Sequence, residues 1–156
     1  MDGSRTIELR QRPLDPLEVL ARWHGQWSGD GAGTGGTLRP PAEAHFIGRV
    51  RGTSAGGEPL QALEPEHDPG MGEARLHRLA GDCARRHGVA AVLVFHRMGR
   101  ILPGEAIVLV AVAADRRGQA QRCSQELLEA LKHEAPCRNR EWSAGAGSWV
   151  PGNTAW

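Results

Sequence analysis

Three groups of cations carry the types and spacing that chemistry requires: Arg49 with Arg51, Arg116 with Arg117, and the run from Lys132 to Glu141, Lys-His-Glu-Ala-Pro-Cys-Arg-Asn-Arg-Glu. Guanidinium forks suit a two-point grip on phosphate or carboxylate. A lysine near other cations has its neutral amine favoured, which makes it usable as a proton donor or nucleophile. The formal net charge is only +1, so the chain is not generically basic. Cations set at element ends in a near-neutral chain point to a local anion site, and a small phosphorylated substrate is the expected guest.

Each group also has a plainer reading. Arg49 and Arg51 lie two apart, so on a strand they share one face, which is either a solvated edge or an anion grip. Arg116 and Arg117 follow an apolar run and open a helix that Asp115 could cap. Arginines disfavour the first turn, which prefers acids, but the free N–H groups there attract anions. Lys132 falls in the last turn of the same helix, where a cation complements the dipole. Arg138 and Arg140 follow Pro136 on an extended segment and alone would be surface charges.

Other candidates are weaker. The segment Ser28-Gly-Asp-Gly-Ala-Gly-Thr-Gly-Gly-Thr37 lacks the Gly-Lys-Ser/Thr ending of a phosphate loop and has no strand before it. His67-Asp68 has no second ligand at metal spacing, so turn chemistry is expected and no metal. His96 reads as a structural histidine, Cys123 as core, and Cys137 as a thiol with no evident base.

These residues need elements to position them. A helix is expected over residues 14–27, with Asp15 as cap, Pro16 in the first turn, and Leu17, Leu20, Trp23 and Trp27 as its apolar stripe. Residues 28–41 are expected to be a flexible Gly/Pro-rich insertion. Strands are expected over 45–51 and 60–67. A helix over 72–87 follows, with Leu76, Leu79, Ala80 and Cys83 inward and Gly88 as terminator. Strands over 90–96 and 106–114 flank Pro103-Gly104, which suits a type II turn. A helix over 117–133 comes next, with Ala120, Cys123, Leu127, Ala130 and Leu131 inward, and then short strands. Hairpin-like strand pairs between helices predict an α+β domain with a largely antiparallel sheet flanked by about three helices.

At 156 residues this is one domain, and 40% hydrophobic residues suffice for a core. Tyrosine is absent, phenylalanine occurs twice and tryptophan five times, fewer rings than a base-stacking nucleic-acid face usually needs. No apolar run approaches the roughly 20 residues that cross a bilayer. Met1–Arg10 is polar and lacks the apolar core of a secretory signal. Cys83, Cys123 and Cys137 form no CxxC pair, so reduced thiols in a cytoplasmic protein are expected. Residues 1–44 carry no legible functional signal.

Several motifs in order resemble a known family. They are Phe46-Ile-Gly-Arg-Val-Arg51, Leu63-Glu-Pro-Glu-His67 with Pro69-Gly70-Met71, and His96-Arg97-Met98-Gly99 with Pro103-Gly104-Glu105. Val108 to Ala114 with Arg117, Leu131-Lys132 through Pro136 to Arg140-Glu141, and Gly147 with Trp149-Val150 continue the series. Over about residues 46–150 the chain resembles the large, catalytic subunit of molybdopterin synthase, the MoaE family. The resemblance implies an α/β hammerhead-type fold and a homodimer of large subunits within a heterotetramer. The partner it implies is a small ubiquitin-like sulfur-carrier subunit of the MoaD type. It implies sulfur transfer from that subunit's C-terminal thiocarboxylate to cyclic pyranopterin monophosphate, forming the molybdopterin dithiolene. The pterin is then substrate, and no cofactor is implied. Lys132 matches the catalytic lysine. Arg49, Val50, Arg51, Arg116, Arg117, Lys132, Asn139, Arg140 and Glu141 match substrate-binding positions. Arg116 stands where the family has histidine, Arg138 where it has tryptophan, and Asn139 where it has a second lysine. The alternative reading is therefore a weakened or silent homologue that binds the small subunit or the pterin.

Overall fold

The computed structural model describes residues 4–27, 36–67, 72–134 and 137–150. Ten elements follow in order: β1 (Ser4–Arg10), α1 (Pro16–His24), β2 (Ala42–Arg49), β3 (Ala62–His67), α2 (Gly72–His87), β4 (Ala91–Arg97), β5 (Ala106–Ala114), α3 (Arg117–Glu134), β6 (Cys137–Ser143) and β7 (Ala146–Trp149). They form a four-stranded sheet ordered β1-β4-β5-β2 and a three-stranded sheet ordered β3-β6-β7. Every pairing is antiparallel except β1 with β4, which is parallel. The expected α+β class with three helices is the class observed.

The large sheet is covered on both faces, which is why β4 and β5 read as unbroken apolar runs. Val92, Val94, Val110 and Val112 point one way, into a cluster with Leu76, Ala80 and Cys83 of α2 and Cys123, Leu127 and Leu131 of α3. Leu93, Phe95, Leu109, Ala111 and Ala113 point the other way, against Val19, Leu20 and Trp23 of α1. The alternation is the period-two geometry of a strand.

Helix α1 starts as expected, with the Asp15 carboxylate accepting from the Leu17 and Glu18 N–H groups at 3.1 and 3.3 Å. Its inward stripe is Pro16, Val19, Leu20 and Trp23. Leu17 is 68% exposed, so the expected stripe was rotated by part of a turn at its start. Helix α2 ends at Gly88, whose φ of +62° suits glycine. The Val89 N–H closes that end on the Ala84 carbonyl at 3.1 Å. Helix α3 is capped differently from expectation. The Gln119 side chain accepts from the Arg116 N–H at 3.1 Å, the reciprocal half of a capping box. Asp115 instead lies 3.7 Å from the Arg116 guanidinium.

Pro103-Gly104 forms the expected turn, with Gly104 at φ +86° and the Glu105 N–H donating to Leu102 O at 3.1 Å. Strand β1 was not anticipated. Strand β2 begins directly after Pro41 at the sheet edge, where missing N–H groups cost least. Among the described residues, β3 is tied to the β4–β5 connection by a bridge of Leu63 with Ile101, where both N–H groups donate across at 2.8 Å, and by the Gly99 N–H donating to Pro65 O at 3.2 Å. Residues 28–35 of the glycine-rich insertion and Asp68 lie outside the described residues, as does the Cys137 side chain. Among the described residues, no helix is long and apolar enough to cross a membrane.

Candidate active site

A cavity of about 510 Å³ opens where the end of β2, the last turn of α3 and strand β6 converge. Arg49, Arg51 and Lys132 supply its cations, and Asn139 and Glu141 complete its polar wall. Phe46, Val108 and Leu128 are among the apolar side chains that line it. All three cations are exposed, with the apolar side chains beside them.

Local geometry explains why the arginines reach it. The β2–β5 register runs Gly48 with Val108, then Arg49 with Ala106, so the ladder is irregular there. Such an irregularity re-aims side chains near a site. A Cβ on Gly48 would come 2.8 Å from Val108 Cγ1 and 3.2 Å from Phe46 Cε1. Glycine therefore lets the strand lie close to β5 under the cavity. Val50 is buried between the two arginines. Its N–H donates to Glu105 O at 3.0 Å and its carbonyl accepts from Gly104 N–H at 2.8 Å. Val50 thus positions its neighbours through its backbone; its side chain does not line the cavity.

The β4–β5 connection is itself pinned. Arg97, only 6% exposed, donates to Glu105 Oε2 at 2.7 Å and to Arg100 O at 3.1 Å. Leu102 N–H donates to Glu105 Oε1 at 2.9 Å. The Leu102 backbone bond and the Arg97 guanidinium hold the Glu105 carboxyl below its ordinary value.

Two sequence expectations change. Arg140 does not line the cavity. Asn139 and Glu141 point to the cavity side of β6, so Arg138 and Arg140 point to the other by strand alternation. The Arg140 guanidinium stacks on Trp149 at 4.3 Å and on Trp142 at 5.6 Å, and Arg138 lies over Trp149 at 4.4 Å. Arg116 and Arg117 are exposed at the opposite end of α3 from Lys132. Fifteen residues at 1.5 Å each put Arg117 about 22 Å along the axis from Lys132. Within one chain, Arg117 and Lys132 cannot close on one small guest.

His96 was read as structural, yet it lines the cavity while Nδ1 donates to Arg97 O at 3.0 Å. No local sequence signal marked it as a cavity residue. No group of three or more metal-ligating side chains lies at the cavity among the described residues; one such group lies elsewhere.

The fold and sequence have relatives. The family model described as MoaE protein matches residues 37–134. The chain belongs to the MoaE family. A molybdopterin synthase catalytic subunit of Cereibacter sphaeroides is 36% identical over 141 residues, covering 90% of each chain. Another from Pseudomonas aeruginosa is 33% identical over 146 residues, covering 94% of this chain and 90% of that one. The solved molybdopterin biosynthesis MoaE protein of Burkholderia ambifaria MC40-6 superposes with a TM-score of 0.72 at 31% identity, over 94% of this chain and 88% of that chain. The MoaE match includes Arg49, Arg51, Arg117 and Lys132, and stops short of the β6 residues that complete the cavity wall.

Proposed function

We propose that this MoaE chain is the catalytic subunit of a molybdopterin synthase, acting in molybdenum cofactor biosynthesis. The observation that carries the reading is the convergence of Arg49, Arg51 and Lys132 on one cavity from two distant elements. The guest is cyclic pyranopterin monophosphate, taken as substrate. Its phosphate lies against the arginine forks, and its ring system against the apolar wall formed by Phe46 and Val108. The C-terminal thiocarboxylate of a small ubiquitin-like subunit of the MoaD type enters the same cavity. The thiocarboxylate sulfur bonds to the pterin, and water then cleaves the acyl–sulfur bond, leaving the sulfur on the pterin and a carboxylate on the carrier. Two such transfers make the dithiolene and open the cyclic phosphate. Fixed cations stabilise the charge that gathers on the opening ring. The Lys132 ammonium supplies a proton at the leaving group. The free buried thiols Cys83 and Cys123 suit a reducing, cytoplasmic setting.

Arg116 and Arg117 join this site only from a second copy of the chain, in a homodimer of large subunits within a heterotetramer. Asn139 favours a second reading, because it lines the cavity where the family pattern has a lysine. On that reading the chain binds the small subunit or the pterin and turns over weakly or not at all.

Reconstitution separates the two. The chain is mixed with thiocarboxylated small subunit and cyclic precursor, and molybdopterin is measured as its fluorescent oxidation product. Product is expected from the parent chain, reduced about 100-fold or more in Lys132→Ala and raised in Asn139→Lys. Full activity in Lys132→Ala would remove the role given to that lysine. A silent parent chain rescued by Asn139→Lys would establish the second reading.

A further inference from the structure

A second cluster of side chains lies on the far face of the large sheet from the cavity. Ala42 and Ala44 of β2 pack toward α2 and α3, so Glu43 and His45 between and beyond them face the α1 side, where Ile47 also packs. Helix α1 delivers His24 in its last turn. His24 Nε2 lies 2.7 Å and His45 Nε2 2.8 Å from one and the same oxygen, Glu43 Oε2. The ligand atoms of all three residues fall within 4.8 Å of one another.

We propose that His24, Glu43 and His45 form a divalent-metal site, best matched to zinc, that ties the end of α1 to the edge strand β2. Two imidazole nitrogens and one carboxylate oxygen are a donor set zinc accepts, with a fourth position left to water. Bonds of about 2.0–2.1 Å in a tetrahedron set neighbouring ligand atoms about 3.4 Å apart. Small side-chain rotations supply that opening, since none of the three is locked in the core. Their side chains are 24%, 15% and 34% exposed, open enough to admit an ion and enclosed enough to hold it. Trp27 helps shield the site, with its ring centroid 6.3 Å from that of His24. The last turn of a helix carries the negative end of its dipole, which favours a cation beside His24. The Arg39 guanidinium lies 4.0 Å from Glu43 Oε1, the other carboxylate oxygen, and so does not contest Oε2. The competing arrangement is a hydrogen-bonded clasp, with both imidazoles donating to the carboxylate and no ion.

A cobalt titration of chelator-treated, dialysed protein tests the site. Visible absorption bands of tetrahedral cobalt should appear, saturate at one ion per chain, and vanish as zinc is added. His45→Gln keeps a hydrogen-bond donor near Glu43 but removes a metal ligand. It should weaken binding about tenfold or more. Zinc should raise the Tm of the parent chain by more than that of His45→Gln at the same concentration. The double variant His77→Ala/His133→Ala, altered at exposed histidines elsewhere, should bind as the parent does. Absence of saturable cobalt binding would overturn the proposal in favour of the clasp. So would equal affinity in His45→Gln, or a cobalt–thiolate band placing the ion on cysteine.

Discussion

Glu105 shows how a single carboxylate shapes the floor of the site. It accepts from Leu102 N–H and from the buried Arg97, and so holds the turn that in turn fixes Val50. The folded state keeps this carboxyl below its ordinary value of 4.5. A lowered value means that folding favours the charged form. Its contribution is complete above pH 4.5 and drains away as pH falls through the lowered value. Glu105→Gln should therefore be less stable at neutral pH by about 1–3 kcal/mol in urea unfolding. The gap to the parent chain should narrow as the solution is made more acidic than pH 4.5. Residue types near the cavity were legible for a related reason. Arg49, Arg51, Lys132, Asn139 and Glu141 sit in motifs whose order and spacing survive in the chain. His96 was not legible as a cavity residue, because a histidine at a strand end has the same local pattern whether or not a hollow adjoins it.

At the level of elements, α3 acts as a rod with charge at both ends. Arg116 and Arg117 mark its start and Lys132 its last turn, so no motion within one chain brings them together. If the second copy supplies the missing pair, function is shared across the dimer. Arg117→Ala and Lys132→Ala chains, each nearly inactive alone, should regain a fraction of parent activity when unfolded and refolded together. Refolded separately and then mixed, they should regain little. No recovery in the co-refolded sample would remove Arg117 from a site shared between copies. The separation was available from sequence, since both groups fall on one expected helix of known rise. Arg140 was similarly misplaced, because strand alternation sends it to the Trp149 face while Asn139 and Glu141 take the other. Strand β1 could not be read locally. Its residues alternate weakly, and its pairing lies with Ala91–Arg97, far along the chain. The stripe of α1 was shifted because Leu17 and Val19 offer nearly equal patterns, and only the sheet beneath decides between them.

For the molecule as a whole, the apolar runs of β4 and β5 made the covered central sheet legible, and the hairpin-like pairs made its α+β class legible. The division into two sheets was hidden, since it depends on one long-range contact. Asn139 and Glu141 ride on the small sheet, whereas Arg49 and Lys132 ride on the large sheet and its helix. Leu63 and Ile101 are the only ladder contact joining those two bodies among the described residues. Any molecule gripped from both sides becomes a rivet through a seam that carries the Leu63–Ile101 pair and the Gly99 N–H to Pro65 O hydrogen bond. Hydrogen–deuterium exchange should register that rivet at a distance, with the amides of Leu63 and Ile101 slowing when the cyclic precursor is added. Exchange at the centre of β5, already sealed on both faces, should stay as it was.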